Sequence, residues 1–446
     1  MSSYLRVLRH RDFKFLFLGQ SASAIGDQVV IVALALYITQ RTGSPTDLGL
    51  VLAAQSLPLI GLVLFGGVWA DRLPRHRIMT AADYARALLH AVLAASIALG
   101  GASVAEMIVI EALFGAARAF FQPAYSGLLP QTIPDAEAQD ARALSSSTEN
   151  LAILIGPALG AVLVLTVGAG AAFALDAATF LLSAELLRHI RPRVRGDIPQ
   201  VPQEGTTVLA DLRAGWYEVR SRTWVWATIA AFAIAVLSAY AQWYALAPLV
   251  SRQLYGSAGV FGLLESAAGG GAVVGALVGI HWRPRHPMLI GLVLTLVWPV
   301  QTLAFAAAAP LAVVVVLAFG AGLGFTLFEV WWATALVRHI PPQALSRVSA
   351  YDWMGSLALL PLGFAIAGPL ADAVGARTVL AVGAAVALVV LLAAMVPRGT
   401  RELVDDGEPP GSAEQPGDDV AVEAGGEAEV AHVDPLVGVM HKRSGL

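Results

Sequence analysis

The sequence predicts an all-α membrane protein of twelve transmembrane helices, arranged as two six-helix pseudo-symmetric halves. Three observations lead there. Of 446 residues, 57% are hydrophobic and 13% charged, with a mean hydropathy of +0.69. A soluble domain carries about 25% charged residues, so an ordinary water-soluble enzyme is excluded. Apolar runs of about 20 residues, enough to cross a hydrocarbon core of about 30 Å, recur along the chain. Finally, short stretches of the first half return in the second.

The runs fall at roughly 14–39, 48–70, 78–99, 104–126, 143–167, 170–188, 224–250, 258–280, 287–305, 311–337, 348–370 and 376–396. The first has a basic start (Arg6, Arg9, Arg11, Lys14), but its apolar stretch is too long for a signal peptide and reads as a retained helix. The fifth and sixth divide at Gly168 and Gly170. With the N-terminus inside, only Arg41, Arg252 and Arg377 face outward; every other loop arginine, from Arg72 to Arg401, falls inside. Short cytoplasmic loops retain Lys and Arg, so both termini are expected in the cytoplasm. Between the halves, Leu209, Leu212, Trp216 and Val219 recur at helical spacing, which suits a short helix on the inner membrane surface, or else a plain linker. The expected divisions are 1–190, a linker at 191–223, a second half at 224–397 and an acidic tail at 398–446.

The repeat is visible as Pro74-Arg75-His76 and Pro284-Arg285-His286, and as Gly156-Pro157 and Gly368-Pro369. Parallel repeats of this kind serve alternating-access transporters, with the binding site between the halves. The chain has no cysteine, and its two lysines, Lys14 and Lys442, follow no glycine-rich loop. Thiolate chemistry, Cys-type metal sites and a Walker-type nucleotide site are therefore excluded. No cofactor, metal or nucleic-acid partner is expected. The expected partners are the lipid bilayer, a small-molecule substrate and protons, with the protein a monomer.

The stretch Gly67-Val68-Trp69-Ala70-Asp71-Arg72-Leu73-Pro74-Arg75-His76-Arg77 resembles the loop 2–3 signature of the major facilitator superfamily, with Pro74 in place of a glycine. The resemblance implies that Gly67, Asp71, Arg72, Arg75 and Arg77 form an inner gate. Gly67 is read as the point where helices approach closely. His281 stands where a second Asp71 would be, which implies an asymmetric latch. Gly156, Pro157 and Gly160 resemble the end of the superfamily's antiporter motif; a plain Pro-kinked packing helix is the other reading. Arg118 to Ala124 with Leu129-Pro130, Arg338 to Pro341, and Ser346 to Ser349 resemble the branch of bacterial exporters related to enterobactin and macrolide efflux proteins.

An ionisable group inside the bilayer costs about 2.5–3.5 kcal/mol, so each one needs a reason. Asp27 lies in the first span, and Glu111 and Arg118 lie seven residues apart on the fourth. In the superfamily both helices line the central cavity, so the resemblance implies a proton-coupling cluster of Asp27, Glu111 and Arg118. A static pair that fixes packing is the alternative. Glu265 and Glu329 are further cavity candidates without a basic partner in their own spans, able to attract a cationic substrate. Tyr240, Trp243 and Tyr244 suit either a substrate pocket or an interfacial belt. Asp83, Glu149 and Asp352 are expected near loop arginines, Asp176 and Asp372 in solvent near the outer ends, and His90 as a hydrogen-bonding residue.

Together these features predict a secondary transporter that exports a small amphipathic organic molecule by proton antiport. An importer or uniporter on the same fold, and a non-transporting receptor, are the rival readings. The net charge of −4 divides unevenly: residues 401–446 hold eleven acids and three bases, leaving a basic membrane body.

Overall fold

The computed structural model describes residues 6–134, 137–192 and 208–403; the acidic tail from 404 onward lies outside them. Every apolar run lies on helix, as lipid requires of a backbone whose polar groups must bond internally. In order, these are α1 (Arg11–Arg41), α2 (Pro45–Arg72), α3 (Arg75–Ala98), α4 (Val104–Leu128), α5 (Ala138–Thr166) and α6 (Ala169–Leu187). After the short α7 (Val208–Ser221) come α8 (Thr223–Tyr255), α9 (Gly259–His281), α10 (Pro287–Ala306) and α11 (Leu311–His339). The last are α12 (Pro342–Leu357), α13 (Leu360–Val374) and α14 (Ala376–Ala394). Among the described residues, 10 helices are long and apolar enough to cross a membrane. Helices α3, which carries Asp83, Arg86 and His90, and α4, which carries Glu106, Glu111 and Arg118, are not in that group.

Local chemistry sets the helix ends. Ser44 accepts the Asp47 N–H at 3.2 Å, with Pro45 at the first helical position of α2. Ser103 caps α4 through the Glu106 N–H in the same way. Gly168 adopts φ 109° and separates α5 from α6, where the sequence places the break. Midway along α8, Val236–Tyr240 widens into a single π-helical turn. Helix α7 forms where the linker periodicity predicts it. It docks on α12: Val219 is buried, and Trp216 lies 5.9 Å from the Tyr351 ring.

Packing differs between the two ends of the bundle. At the end opposite the arginine-rich loops, one continuous core joins α1, α2, α5 and α6 to α8, α9, α11, α13 and α14. At the basic end there are two separate cores. One is built from Phe13, Leu16, Ala70, Met79, Phe121 and Leu187, the other from Trp224, Met288, Phe328, Trp332 and Leu391.

Two close crossings hold the continuous end. In the first, α2 meets α13: a Cβ on Gly49 would stand 2.3 Å from the Phe364 carbonyl oxygen, and one on Gly368 2.1 Å from Thr46 Cα. Thr46 Oγ1 also donates to Asp372 Oδ2 at 3.1 Å. In the second, α5 meets α1 and α9. Gly156 faces Gln28, Gly160 faces the Val29 carbonyl, and Gly262 of α9 approaches Ala161 and the Pro157 carbonyl. Small residues let the backbones approach this closely.

A polar tie outside the helical spans holds the N-terminal segment. Arg9 donates to Glu137 Oε1 at 2.8 Å, and His10 Nε2 lies 3.1 Å from Oε2. The Arg9 hydrogen bond, helped by His10, holds the Glu137 carboxyl below the usual carboxylate range. With the folded value lowered, the tie is present above the ordinary carboxylate range and is lost as pH falls through the lowered value. NMR titration of Glu137 is expected to show that lowered midpoint, and Arg9→Ala to return it toward normal.

Candidate functional site

The predicted gate residues lie where α2 ends. Arg75 donates through Nη1 to the Gly127 carbonyl at 2.8 Å and through Nε to the Ala70 carbonyl at 3.3 Å, so it clamps the α2–α3 loop to the C-terminal end of α4. Carbonyls left free at a helix C-terminus attract such a cation. Arg72 and Arg77 are exposed, and the side chain of Asp71 lies outside the described residues. The close helix approach is made by Gly66, not Gly67. A Cβ on Gly66 would stand 2.3 Å from the Ala119 carbonyl oxygen, whereas one on Gly67 meets nothing. One residue turns the helix by about 100°, which carries Gly67 away from α4.

A buried polar network fills the space between α3, α4 and α6. Asp83, Arg86, His90, Glu111 and Asp176 are all essentially inaccessible. Asp83 and Arg86 form an ion pair one turn apart on α3. The Arg86 guanidinium lies 4.2 Å over both the Phe121 and Phe180 rings. His90 Nδ1 is 2.5 Å from Asp176 Oδ2, and its Nε2 is 3.6 Å from Glu111 Oε1. The imidazole stacks on Phe114 at 4.2 Å, with Phe173 edge-on at 5.4 Å. Gln55 of α2 donates to Glu111 Oε2 at 2.7 Å.

This arrangement corrects several expectations. Asp176 is not solvated near an outer end; it is fully buried against His90, because α6 presents it to the packed side of α3. Asp83 pairs with Arg86 of its own helix, not with a loop arginine. Glu111 does not line a cavity with Arg118, since it is inaccessible and held by Gln55 and His90. Seven residues on one helical face are also about 10.5 Å apart along the axis. Arg118 lies nearer the basic end, half-buried, within electrostatic reach of Tyr240 on α8. Asp27 is half-buried and within reach of Asp83 and Asp176. The three residues thus have three different sets of neighbours.

A second site lies in α8 and α9. Glu265 accepts Trp243 Nε1–H on one carboxylate oxygen and Tyr244 Oη–H on the other, each at 2.7 Å. Trp243 is buried against Phe305 and Tyr244 is half-buried, so these two are interior groups. Tyr240, 37% exposed, packs 4.8 Å from Tyr244 and 6.3 Å from Trp298, and senses the charges of Glu265, Glu329 and Arg118. Glu329 is exposed on α11, and Asp352 accepts the Trp332 indole N–H at 2.8 Å, not a loop arginine. Asp372 is exposed and bonded to Thr46. Glu149 is exposed near the basic end of α5. His281 is exposed and bonds only within its own helix, to the Leu277 carbonyl.

Sequence reading expected His90 to hydrogen-bond, as it does, but missed Arg86 and the partners of His90. Asp83, Arg86 and His90 stand at i, i+3 and i+7, one face of α3, and that spacing is the signal that could have found them. Among the described residues no group of His, Asp and Glu is arranged to hold a metal ion.

Lipid-length helices with paired interior charges and a core divided at one end define a multi-pass membrane protein. The chain belongs to the transmembrane secretion effector family of the major facilitator superfamily, whose family model matches residues 2–394. It is 27% identical to the multidrug efflux pump Tap of Mycolicibacterium fortuitum over 405 residues, 87% of this chain and 96% of that protein. It is 23% identical to macrolide efflux protein A of Streptococcus pyogenes, over 81% of this chain and 90% of that one. With the MFS-type transporter YfiS of Bacillus subtilis the identity is 31%, but the match spans about half of each chain: 45% of this one and 47% of that one. Among solved structures, the inward-facing, unoccupied bacterial homologue of the lysosomal transporter Spinster matches with a TM-score of 0.62 at 16% identity, covering 86% of this chain and 95% of that one. That likeness shows the fold alone.

Proposed function

We propose that the protein exports a small amphipathic organic molecule across the bacterial cytoplasmic membrane by alternating access, driven by inward movement of protons. The observation that carries this reading is the division of the core: one continuous core at the end opposite the arginines, two separate cores at the basic end. With the arginine-rich loops in the cytoplasm, by the positive-inside rule, this is a conformation open to the inside and sealed to the outside.

In this reading all twelve segments cross the membrane, α3 and α4 included, because Asp83, Arg86, His90 and Glu111 are buried inside the bundle and not set against lipid. The halves 1–190 and 224–397 rock against one another so that the α2–α13 and α5–α9 crossings touch in this state and part in the other, and both termini face the cytoplasm. The Gly156–Gly160 stretch supports the α5 crossing, and the Arg75 clamp supports the inner end of the first half. Export, as opposed to import, is supported by the efflux proteins among its relatives.

Substrate enters between Tyr240, Trp298, Glu265, Glu329 and Arg118. Aromatic faces beside a carboxylate favour a flat or greasy molecule bearing positive charge. The test is uptake by inside-out vesicles of a panel containing ethidium, tetracycline and erythromycin, with an acid interior imposed. Gradient-dependent uptake of at least one compound is expected, and Glu265→Gln is expected to lower cationic more than neutral uptake. If no compound responds to the gradient, the antiport reading is wrong.

A further inference from the structure

We propose that the coupling proton is carried by His90 between Asp176 and Glu111, in a buried site that substrate never touches. This inference rests on the antiport reading and adds to it where the proton sits.

Charge balance is the first argument. Asp83, Glu111 and Asp176 are three carboxylates enclosed with one guanidinium, Arg86. Among the described residues no second fixed cation pairs with them. With a neutral imidazole, the enclosure holds two negative charges in excess. Uncompensated charge at that depth is expensive, and bound protons are the means this set of residues has of removing it. A purely structural network would reach neutrality with fixed charges; this one does not.

Unmet hydrogen bonding is the second. Asp83 Oδ2, Arg86 Nε, His90 Nε2, Glu111 Oε1 and Asp176 Oδ1 are all buried without a protein partner. Buried polar atoms are ordinarily paired, so five in one enclosure mark a place built for more than packing. His90 Nε2 and Glu111 Oε1 face each other at 3.6 Å, both unmet. A proton leaving the imidazolium there breaks its Nε2–H bond and forms Oε1–H on Glu111. The products are a neutral imidazole and a carboxylic acid.

The third argument is connection to the moving parts. Glu111 is bonded to Gln55, and the Gln55 carbonyl is the point where α2 meets Gly115 of α4, 1.9 Å from where a Cβ would stand. Helix α2 carries the outer crossing at Thr46 and Gly49 and leads into the Arg75 clamp. A change of charge on Glu111 therefore acts on the helix that spans both gates. His90 faces Asp176 on α6 and Glu111 on α4; Asp83 and Arg86 stand one to two turns away on α3, and Asp27 of α1 is within reach of Asp83 and Asp176. Helix α2 offers Gln55, its ionisable residues lying at its two ends. Phe114, Phe173 and Phe180 pack around the His90 ring.

The test compares two fluxes in proteoliposomes, using whichever panel compound the wild type moves. One is accumulation driven by a pH gradient; the other is exchange of labelled for unlabelled compound without one. His90→Gln, which keeps hydrogen bonding but cannot carry the proton, is expected to lower the ratio of driven to exchange flux by about tenfold, a size typical of site-to-site coupling. It is also expected to flatten the pH profile of exchange. Glu111→Gln, which still faces Gln55, serves as the second variant and is expected to act in the same direction. Driven accumulation that keeps its wild-type ratio and pH profile in either variant overturns the proposal. So does equal loss of both fluxes in a normally folded variant, which would make His90 a structural residue. A wild type indifferent to the gradient sinks the antiport reading itself, and is told apart by needing no variant.

Discussion

On the proposed export cycle, Gly368→Leu is expected to abolish transport while leaving the protein in the membrane. The added side chain has no room: even a Cβ would stand 2.1 Å from Thr46 Cα, a backbone atom that cannot swing aside. Overpacking usually costs about 1–3 kcal/mol, and here the cost falls on one conformation alone, the one in which α2 and α13 touch. The outer seal opens, and the population shifts toward an outward-facing form. Gly49→Leu, opposed by the Phe364 carbonyl at 2.3 Å, is expected to act in the same direction. The chain's lack of cysteine makes the measurement direct. Val51→Cys, buried in the sealed core, is expected to resist a membrane-impermeant maleimide added from outside and to react once Gly368→Leu is added. Unchanged protection with normal transport would show that the crossing does not seal anything.

Arg86→Met is expected to destabilise the fold sharply. It strands Asp83, which is completely buried, and removes a cation seated on two aromatic rings. Breaking a buried ion pair by deleting one partner costs about 3–5 kcal/mol, whereas replacing both with apolar or neutral groups is often close to neutral. Asp83→Asn combined with Arg86→Met is therefore expected to recover most of the melting temperature lost by Arg86→Met. Thermal unfolding of the purified protein in detergent checks both, and a double variant as unstable as the single one would show that Asp83 is not the source of the damage.

The gross fold was legible because lipid leaves few choices. Apolar length, the break at Gly168 and the periodic Leu209–Val219 stretch each map onto an observed helix or helix end. Single residues were less legible. Counting positions puts Glu111 and Arg118 on one helical face, but it cannot say that neighbouring helices enclose that face at one level and part at the next. Asp176 read as solvated from its nearness to a loop, yet its partner, His90, lies 86 residues earlier. The pairing of Glu265 with Trp243 and Tyr244 escaped for the same reason: both donors sit on the preceding helix. Gly66 and Gly67 are indistinguishable in composition, and the rotation of α2 alone decides which one touches α4.

The five-residue π-helical turn at Val236–Tyr240 acts as a frame shift in α8. Everything beyond it is rotated relative to everything before, by the equivalent of one inserted residue. Removing a single residue there would restore an even helix and turn Trp243 and Tyr244 by about 100° away from Glu265. Gain or loss of one residue at this turn can therefore re-aim Trp243 and Tyr244 with no substitution at either position. An alignment that forces α8 to be gapless would hide that difference, and would compare side chains that point in different directions.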